Sequence, residues 1–390
     1  MNTYRLSEIC EINPKKEMLL DTDSWVSFLP MESVSTDGKI DTSKTISISQ
    51  VKNYSVFKNN DIIFAKITPC MENGKGAIVS NLKNGYGAGS TEFIVLRPNE
   101  KVLSKWIYYF LSQKSFRMYC QQNMTGSAGQ KRVPAKFLAN CEICIPHIEE
   151  QQRLISKIEE LFSELDNGVE TLKKTKQQLA VYRQAVLKEA FCLEEQTVKV
   201  SSICTVVRGG SPRPAGDEKY YNGTIPFLKV ADLTNSDDMY LSTHTYTIKE
   251  AGLKKTRMVP PNTLLLSNSG ATLGVPKICT FETTFNDGIA AFLNLEEGRE
   301  YLPFHYYFWL SKLPEMRAID QGAAQPNLNT AIIGDVDIPH CNFETQRQVA
   351  EWIESRMSVC DNIEKTVDTA LQQAEAMQQS ILKKAFEGKL

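Results

Sequence analysis

The sequence predicts an α+β chain: mixed α/β globular domains carried by two long antiparallel coiled-coil helices, arranged as a pseudo-two-fold internal repeat. Three observations predict it. Residues 149–191 align without a gap on residues 344–386, at an offset of 195 in a chain of 390. Both segments space their apolar residues 4-3-4-3, the seam of a coiled coil. The stretches between them hold short β-type runs separated by Gly, Asn and Asp turns. A repeat this long marks a two-fold object.

In the first helical segment the seam reads Leu154, Ile158, Leu161, Leu165, Gly168, Leu172, Thr175, Leu179, Tyr182, Val186. Adding 195 gives Val349, Ile353, Arg356, Cys360, Ile363, Val367, Ala370, Ala374, Met377, Ile381, where only Arg356 is neither apolar nor small. A helix of about 43 residues runs roughly 65 Å. Pro146 and Pro339 lie just upstream, where they set helix entry. The first helix leaves one block and arrives at the other, so a helix pairing with it runs back. That order makes the pair antiparallel, and Ala370 and Ala374 allow close approach. The competing expectation is that each helix packs on its own domain or on a partner.

The boundaries follow: a globular domain at 1–147, a helical region at 148–195, a second domain at 196–343 and a second helical region at 344–390. The domains repeat loosely, at offsets between 193 and 202. Asp61-Ile62-Ile63-Phe64-Ala65 answers Thr263-Leu264-Leu265-Leu266-Ser267, and Phe28-Leu29 answers Phe227-Leu228. Gly89 through Phe93 to Leu96 is matched with Gly288 through Phe292 to Leu295, and Tyr109-Phe110-Leu111-Ser112 with Phe308-Trp309-Leu310-Ser311. Strands are expected at 62–64, 93–96, 264–266 and 291–295, and a helix in each domain near 103–119 and 304–319.

Composition narrows the function. Hydrophobic content of 42% and charged content of 23% are ordinary for a soluble globular protein. No apolar run approaches the roughly 18 residues of a membrane span. The start, MNTYRLSEIC, has no apolar signal core, and ten scattered cysteines suit a reducing compartment, so a cytoplasmic location is expected. Net charge is −2, but residues 1–148 carry 18 Lys+Arg against 13 Asp+Glu.

Motifs for catalysis are missing. Gly85-Tyr86-Gly87-Ala88-Gly89 is followed by a β-type run, whereas a phosphate-cradling loop opens a helix, so it reads as a turn. No P-loop and no Asn-Pro-Pro-Tyr or Asp-Pro-Pro-Tyr run occurs. Cys141 and Cys144, with His147, lack the second ligand pair a zinc site needs, and the other half has Gly334 and Asp337 there. Neither a metal nor a catalytic site is expected.

The junctions between domain and helix carry a family resemblance. They read Gly322-Ala323-Ala324-Gln325-Pro326-Asn327-Leu328-Asn329, then Asp337-Ile338-Pro339, then Glu344-Thr345-Gln346. The first copy reads Gly126-Ser127-Ala128-Gly129-Gln130 through Ile145-Pro146 to Glu149-Glu150-Gln151-Gln152. Further pieces are Arg208-Gly209-Gly210-Ser211-Pro212, Ile225-Pro226-Phe227-Leu228-Lys229 and Leu264-Leu265-Leu266-Ser267-Asn268-Ser269-Gly270. In this order, twice over, they resemble the specificity subunit of type I restriction–modification systems across nearly the whole chain. The first copy departs at Glu11-Ile12-Asn13-Pro14 and Lys131-Arg132-Val133, where the second has Gly-Gly-Ser-Pro and Pro-Asn-Leu.

The resemblance implies two target-recognition domains, each reading one half of a bipartite double-stranded DNA target, with the helical pair fixing the unread spacer. It implies a non-catalytic subunit docking two modification (methyltransferase) subunits, joined by restriction (translocase and nuclease) subunits. S-adenosylmethionine, ATP and Mg would belong to those partners, with no cofactor here and no membrane. Base readout uses forked or two-pronged polar side chains. The candidates are Lys66, Lys75, Gln130, Lys131 and Arg132 in the first domain, and Arg208, Arg213, Lys229, Asn268 and Asn286 in the second. Thr68, Ser211, Ser267 and Ser269 are candidates for holding phosphates. Gln325 and Asn327 read instead as structural ties to the helix base. Partner docking falls to the repeated helices, through Leu154, Ile158, Leu161, Leu165, Leu172, Leu179, Val349, Ile353, Ile363, Val367, Met377 and Ile381. The alternative is a coiled-coil protein-interaction scaffold without DNA readout; an enzyme with an unrecognised site ranks third.

Overall fold

The computed structural model describes residues 2–15, 20–21, 23–127, 129–192, 196–270, 272–318 and 328–390. The chain forms two compact units, residues 1–172 with 369–390, and residues 173–368.

The first unit is built in three layers, and its central strand shows why. Ile62–Ala65 (IIFA) is buried at every position. Ile62 and Phe64 point to one side, where with Ile94 and Leu96 they meet Trp106, Ile107 and Leu111 from the helix Ser104–Ser112. Ile63 and Ala65 point to the other, where with Phe93 and Val95 they meet Leu29 and Phe57. The two-residue period sends successive side chains to opposite faces, so a strand buried on both faces must be apolar throughout. The sheet containing it has the order Cys10–Ile12, Phe93–Pro98, Ile62–Ala65, Gly76–Ile78, all antiparallel. The sheet beneath has the order Thr45–Ser47, Trp25–Leu29, Tyr86–Gly89, Ser55–Lys58, with the middle two strands parallel. Gly87 and Gly89 lie against the Phe57 ring and, for Gly89, the Leu29 carbonyl, where a Cβ would collide. The glycine run, expected as a turn, is therefore mostly strand, Tyr86–Gly89, and its glycines serve sheet packing.

The second unit repeats these layers. Leu264 and Leu266 of Thr263–Ser267 face the helix Leu302–Ala318, and Leu265 faces the lower sheet. The upper sheet runs Thr205–Arg208, Ile289–Leu293, Thr263–Ser267, Pro276–Cys279, Tyr240–Leu241. The lower runs Tyr246–Ile248, Tyr221–Leu228, Thr283–Phe285, Arg257–Val259, again with a parallel middle pair. Asn60 and Asn262, with φ of 72° and 60°, turn the chain into the two central strands.

Strand pairing corrects the sequence alignment of the halves. Ile62 pairs with Leu96, and its equivalent Leu264 pairs with Phe292. The true offset here is 196, not the 199 that matched Phe93 with Phe292. Phe93 faces the inter-sheet core and Phe292 the helices; an odd slip sends a side chain to the wrong face. The strand expected at 291–295 is Ile289–Leu293, ended by Asn294 at φ 63°.

The helix expected near 103–119 is two, Ser104–Ser112 and Lys114–Gln122, parted at Gln113, whose ψ of 130° is extended. Ser112 donates its hydroxyl back to the Tyr108 carbonyl, and Arg117 donates to the Ser112 carbonyl, so the first helix ends capped. The counterpart, Leu302–Ala318, runs unbroken with Pro314 inside; Ile319 lies outside the described residues.

The long helices span Ile148–Phe191 and Phe343–Phe386. Within the first unit they run antiparallel: Ile158 packs on Leu382 and Ala385, and Gln378 donates to Asp166 at 3.3 Å. Within the second, Lys176 meets Asp368 and Arg183 meets Asp361 and Glu364, each at 2.8 Å. The Arg183–Asp361 and Gln378–Asp166 contacts are one contact repeated at the offset of 195. Leu154, Ile158, Leu179, Val186, Ile353, Cys360 and Val367 are buried, and Leu161, Leu165, Leu172, Val349 and Ile381 half-buried. Tyr182, Ile363 and Met377 are instead 48%, 40% and 56% exposed. The half-buried residues beside them are Arg183, Glu364 and Gln378, so at these three positions a polar neighbour takes the place of the apolar residue. The 4-3 count followed apolar residues, whereas charge pairing sets the seam there.

Candidate nucleic-acid interface

Each long helix is locked to its domain by one buried glutamine. Gln151 Oε1 accepts from the Leu103 N–H at 2.9 Å, and its Nε2 donates to the Lys101 and Pro146 carbonyls. Gln346, its repeat, accepts from the Tyr301 N–H at 2.8 Å and donates to the Arg299 and Cys341 carbonyls. These bonds make 103 the equivalent of 301, an offset of 198, one less than the serine-based match of the two sequences. The same offset pairs Tyr109 with Tyr307. Burial, and then a facing carboxylate (Glu159 and Glu354, 195 apart), pushes both phenols up. Phe386 stacks near Trp106 and Phe110, and Phe191 near Phe304 and Phe308.

In the first unit the basic candidates are mostly engaged. Lys66 Nζ donates to the Thr91 carbonyl at 2.7 Å and Lys75 Nζ to the Met31 carbonyl at 3.0 Å. Arg132 forks onto Glu92, at 2.9 Å from Nε to Oε2 and 2.9 Å from Nη2 to Oε1. That bond holds the Glu92 carboxyl below the usual range. Arg132 is thus a clamp on the loop before it, and its fork is taken. Gln130 and Lys131 are exposed beside it, and the Thr68 hydroxyl is buried without a hydrogen bond among the described residues.

In the second unit the Arg208–Arg213 loop lies close against the strand ends. Gly209 abuts the carbonyls of Phe285 and Asn286, and Gly210 abuts that of Lys255; a Cβ at either would collide with backbone. Only glycine fits, which explains the Gly-Gly pair. Arg208 Nε donates to the Asp287 carbonyl and Ser211 Oγ to the Asp287 carboxylate, both at 2.5 Å. The Ser211 bond, with Arg208 and Arg213 beyond it, keeps Asp287 below the usual carboxylate range. Lys229 Nζ sits 3.5 Å over the Tyr246 ring. Ser267 is tied internally to the Thr272 carbonyl and the Val275 N–H. Asn268 is buried with neither amide atom bonded among the described residues. Gly288 brings Ser269 and Asn286 together, its Cβ position lying 2.9 Å from Ser269 Oγ and 3.4 Å from Asn286 Oδ1. Gln325 and Asn327 lie outside the described residues.

Sequence reasoning passed over Lys254, Lys255 and Arg257, which are exposed here; Arg257 Nε donates to the Arg208 carbonyl at 3.0 Å. Two basic residues before a short strand gave no signal alone. Among the described residues no three His, Cys, Asp or Glu side chains converge, and no helix is long and apolar enough to cross a membrane.

Fold and site together define a two-domain protein with a duplicated helical frame and unlike polar loops. The family described as type I restriction modification DNA specificity domain matches residues 1–180 and 194–373, and the chain belongs to that family. It is 43% identical over 166 residues to the EcoAI type I restriction enzyme specificity subunit of Escherichia coli, covering 41% of this chain and 28% of that one. To the EcoEI subunit of the same species it is 39% identical over 196 residues, covering 49% and 33%. Both alignments thus span a third or less of those relatives. With the EcoKI specificity subunit of E. coli K12 the match is 22% over 382 residues, 91% of this chain and 80% of that one. Two solved structures share the fold at 20% identity. One, from work on complex assembly and conformational transition of the type I R-M system, has a TM-score of 0.81 and covers 100% of this chain and 98% of its own. The other, the HsdS subunit from Thermoanaerobacter tengcongensis, has a TM-score of 0.61, covering 100% and 97%.

Proposed function

We propose that this chain is the DNA-reading subunit of a type I restriction–modification complex and performs no chemistry itself. Each domain (1–147 and 196–343) reads one half of a split double-stranded target. The helical regions set the spacer and dock two modification subunits; S-adenosylmethionine, ATP and Mg serve the partner subunits. The observation that carries this reading is the contrast between frame and loops. Glutamine locks, tyrosine–glutamate pairs and interhelical contacts repeat at fixed offsets, whereas the polar loops do not. A frame repeated by a two-fold offers one surface to two copies of one partner. Readers of two different half-sites must differ.

Sequencing the methylated bases of cells that carry this subunit with its modification subunit should reveal one bipartite motif. Methylation with no sequence preference, or none, sinks the proposal. Deleting seven residues of the first long helix between 154 and 186 removes roughly 10 Å of rise, equal to about three base pairs. The motif should then change its spacer, or assembly should fail; an unchanged spacer refutes the ruler.

A further inference from the structure

We propose that one corner, the same in the fold of both units and unlike in its side chains, is where each unit discriminates its DNA half-site. The inference rests on the DNA-reading function above.

Strand pairing locates the corner. Leu29 pairs with Gly89 and Leu228 with Phe285, so Gly89 and Phe285 are equivalent. Their antiparallel partners, Ser55 and Arg257, are then equivalent too. The Lys66 N–H donates to the Glu92 carbonyl and the Asn268 N–H to that of Gly288, which equates Lys66 with Asn268. Two residues beyond Gly89 and Phe285 stand Thr91 and Asp287. In both units the corner therefore joins the end of the central strand, the loop after the parallel strand and the start of the strand paired to it.

The chemistry there differs. The first unit opens a cleft of about 330 Å³, lined by Asn13, Lys15, Tyr54, Ser55, Lys66 and Thr91 among others and, among the described residues, by no carboxylate. In the second unit Arg257 holds the Arg208 carbonyl, Arg208 reaches the Asp287 carbonyl, and Ser211 binds the Asp287 carboxylate. A donor-rich cleft suits acceptor edges such as guanine O6 and N7. An arginine fork beside an ionised carboxylate suits the two edges of a G·C pair, guanine to the fork and the cytosine amino group to the carboxylate. The glutamine locks and the tyrosine–glutamate pairs repeat; here Lys66, Ser55 and Thr91 answer to Asn268, Arg257 and Asp287, and no pair is alike.

The test uses the full chain assembled with its modification subunit, reading the methylated motif genome-wide. Lys15 and Arg208 are exposed, so Lys15→Ala and Arg208→Ala should fold; thermal melting checks this, and Arg208→Lys keeps the charge while losing the fork. Lys15→Ala is expected to raise methylation of sites mismatched in one half-site by ~10-fold, and the Arg208 variants likewise in the other half-site. The spacer stays unchanged. Folded variants that leave both half-sites as they were, or that alter the same half-site, overturn the assignment. A wild-type complex with no motif at all overturns the DNA-reading function itself, and this assignment with it.

Discussion

Replacing Gln151 with alanine is expected to destabilise the first unit by about 3 kcal/mol. The side chain is fully buried and makes three hydrogen bonds, one accepted from the Leu103 N–H and two donated to the Lys101 and Pro146 carbonyls. Alanine leaves a buried donor and two acceptors without their partner, and each stranded group costs about 1–3 kcal/mol, partly recovered where water enters. Gln346→Ala should do the same to the second unit, freeing the Tyr301 N–H. Gln152, next in sequence but exposed, is the control, with Gln152→Ala expected within about 0.5 kcal/mol of wild type. Native-state hydrogen exchange reads the lock directly: the Leu103 amide should lose protection in Gln151→Ala and keep it in Gln346→Ala. Unaltered Leu103 protection in Gln151→Ala would sink the lock.

The long helices were legible because a coiled-coil seam tolerates no insertion: one extra residue turns every later side chain by about 100°. Gln151 and Gln346 therefore stayed 195 apart. The sheets were less legible. Loops of unequal length separate their strands, and Phe93 and Phe292 look alike in sequence while facing opposite layers. Only the pairing of Ile62 with Leu96 and of Leu264 with Phe292 settles the register. The candidate site was half legible. Arg208-Gly209-Gly210-Ser211 stood out as part of the family resemblance, and the close approach of its glycines to backbone carbonyls gives the physical reason. Arg132 stood out as a free fork, yet its partner Glu92 is 40 residues away and carries no local signal. Ser55 and Arg257 were invisible, since their place in the corner follows from strands contiguous in space alone.

The largest asymmetry between the locks yields the last expected result. Beside Gln346, the buried His305 ring lies 2.8 Å from the Glu300 carboxylate, which also accepts from Gln346 Nε2 at 3.1 Å. At the offset of 198 the first unit has Val102 and Ile107, both buried and apolar. Two solutions to one packing problem thus sit in one chain. Removing the shared acceptor strands the buried His305 ring and weakens the bonding of Gln346, so Glu300→Val alone is expected to cost about 1–3 kcal/mol. Replacing both residues with the first unit's pair, Glu300→Val with His305→Ile, is expected to be neutral or stabilising, since well-packed apolar side chains avoid the desolvation cost. Chemical denaturation of the two variants gives the comparison; a double variant as unstable as the single one refutes it. Acid adds a second signature. Burial pushes the Glu300 carboxyl up, but the His305 bond and charge and the Gln346 bond outweigh it and hold the group below its ordinary value. A depressed folded-state value means that the carboxylate stabilises the unit above the unfolded pKa of about 4.3, and that this stability is lost as the pH falls through the acid range below. Wild type should therefore lose more stability on acidification than the double variant, which has no carboxyl there to protonate.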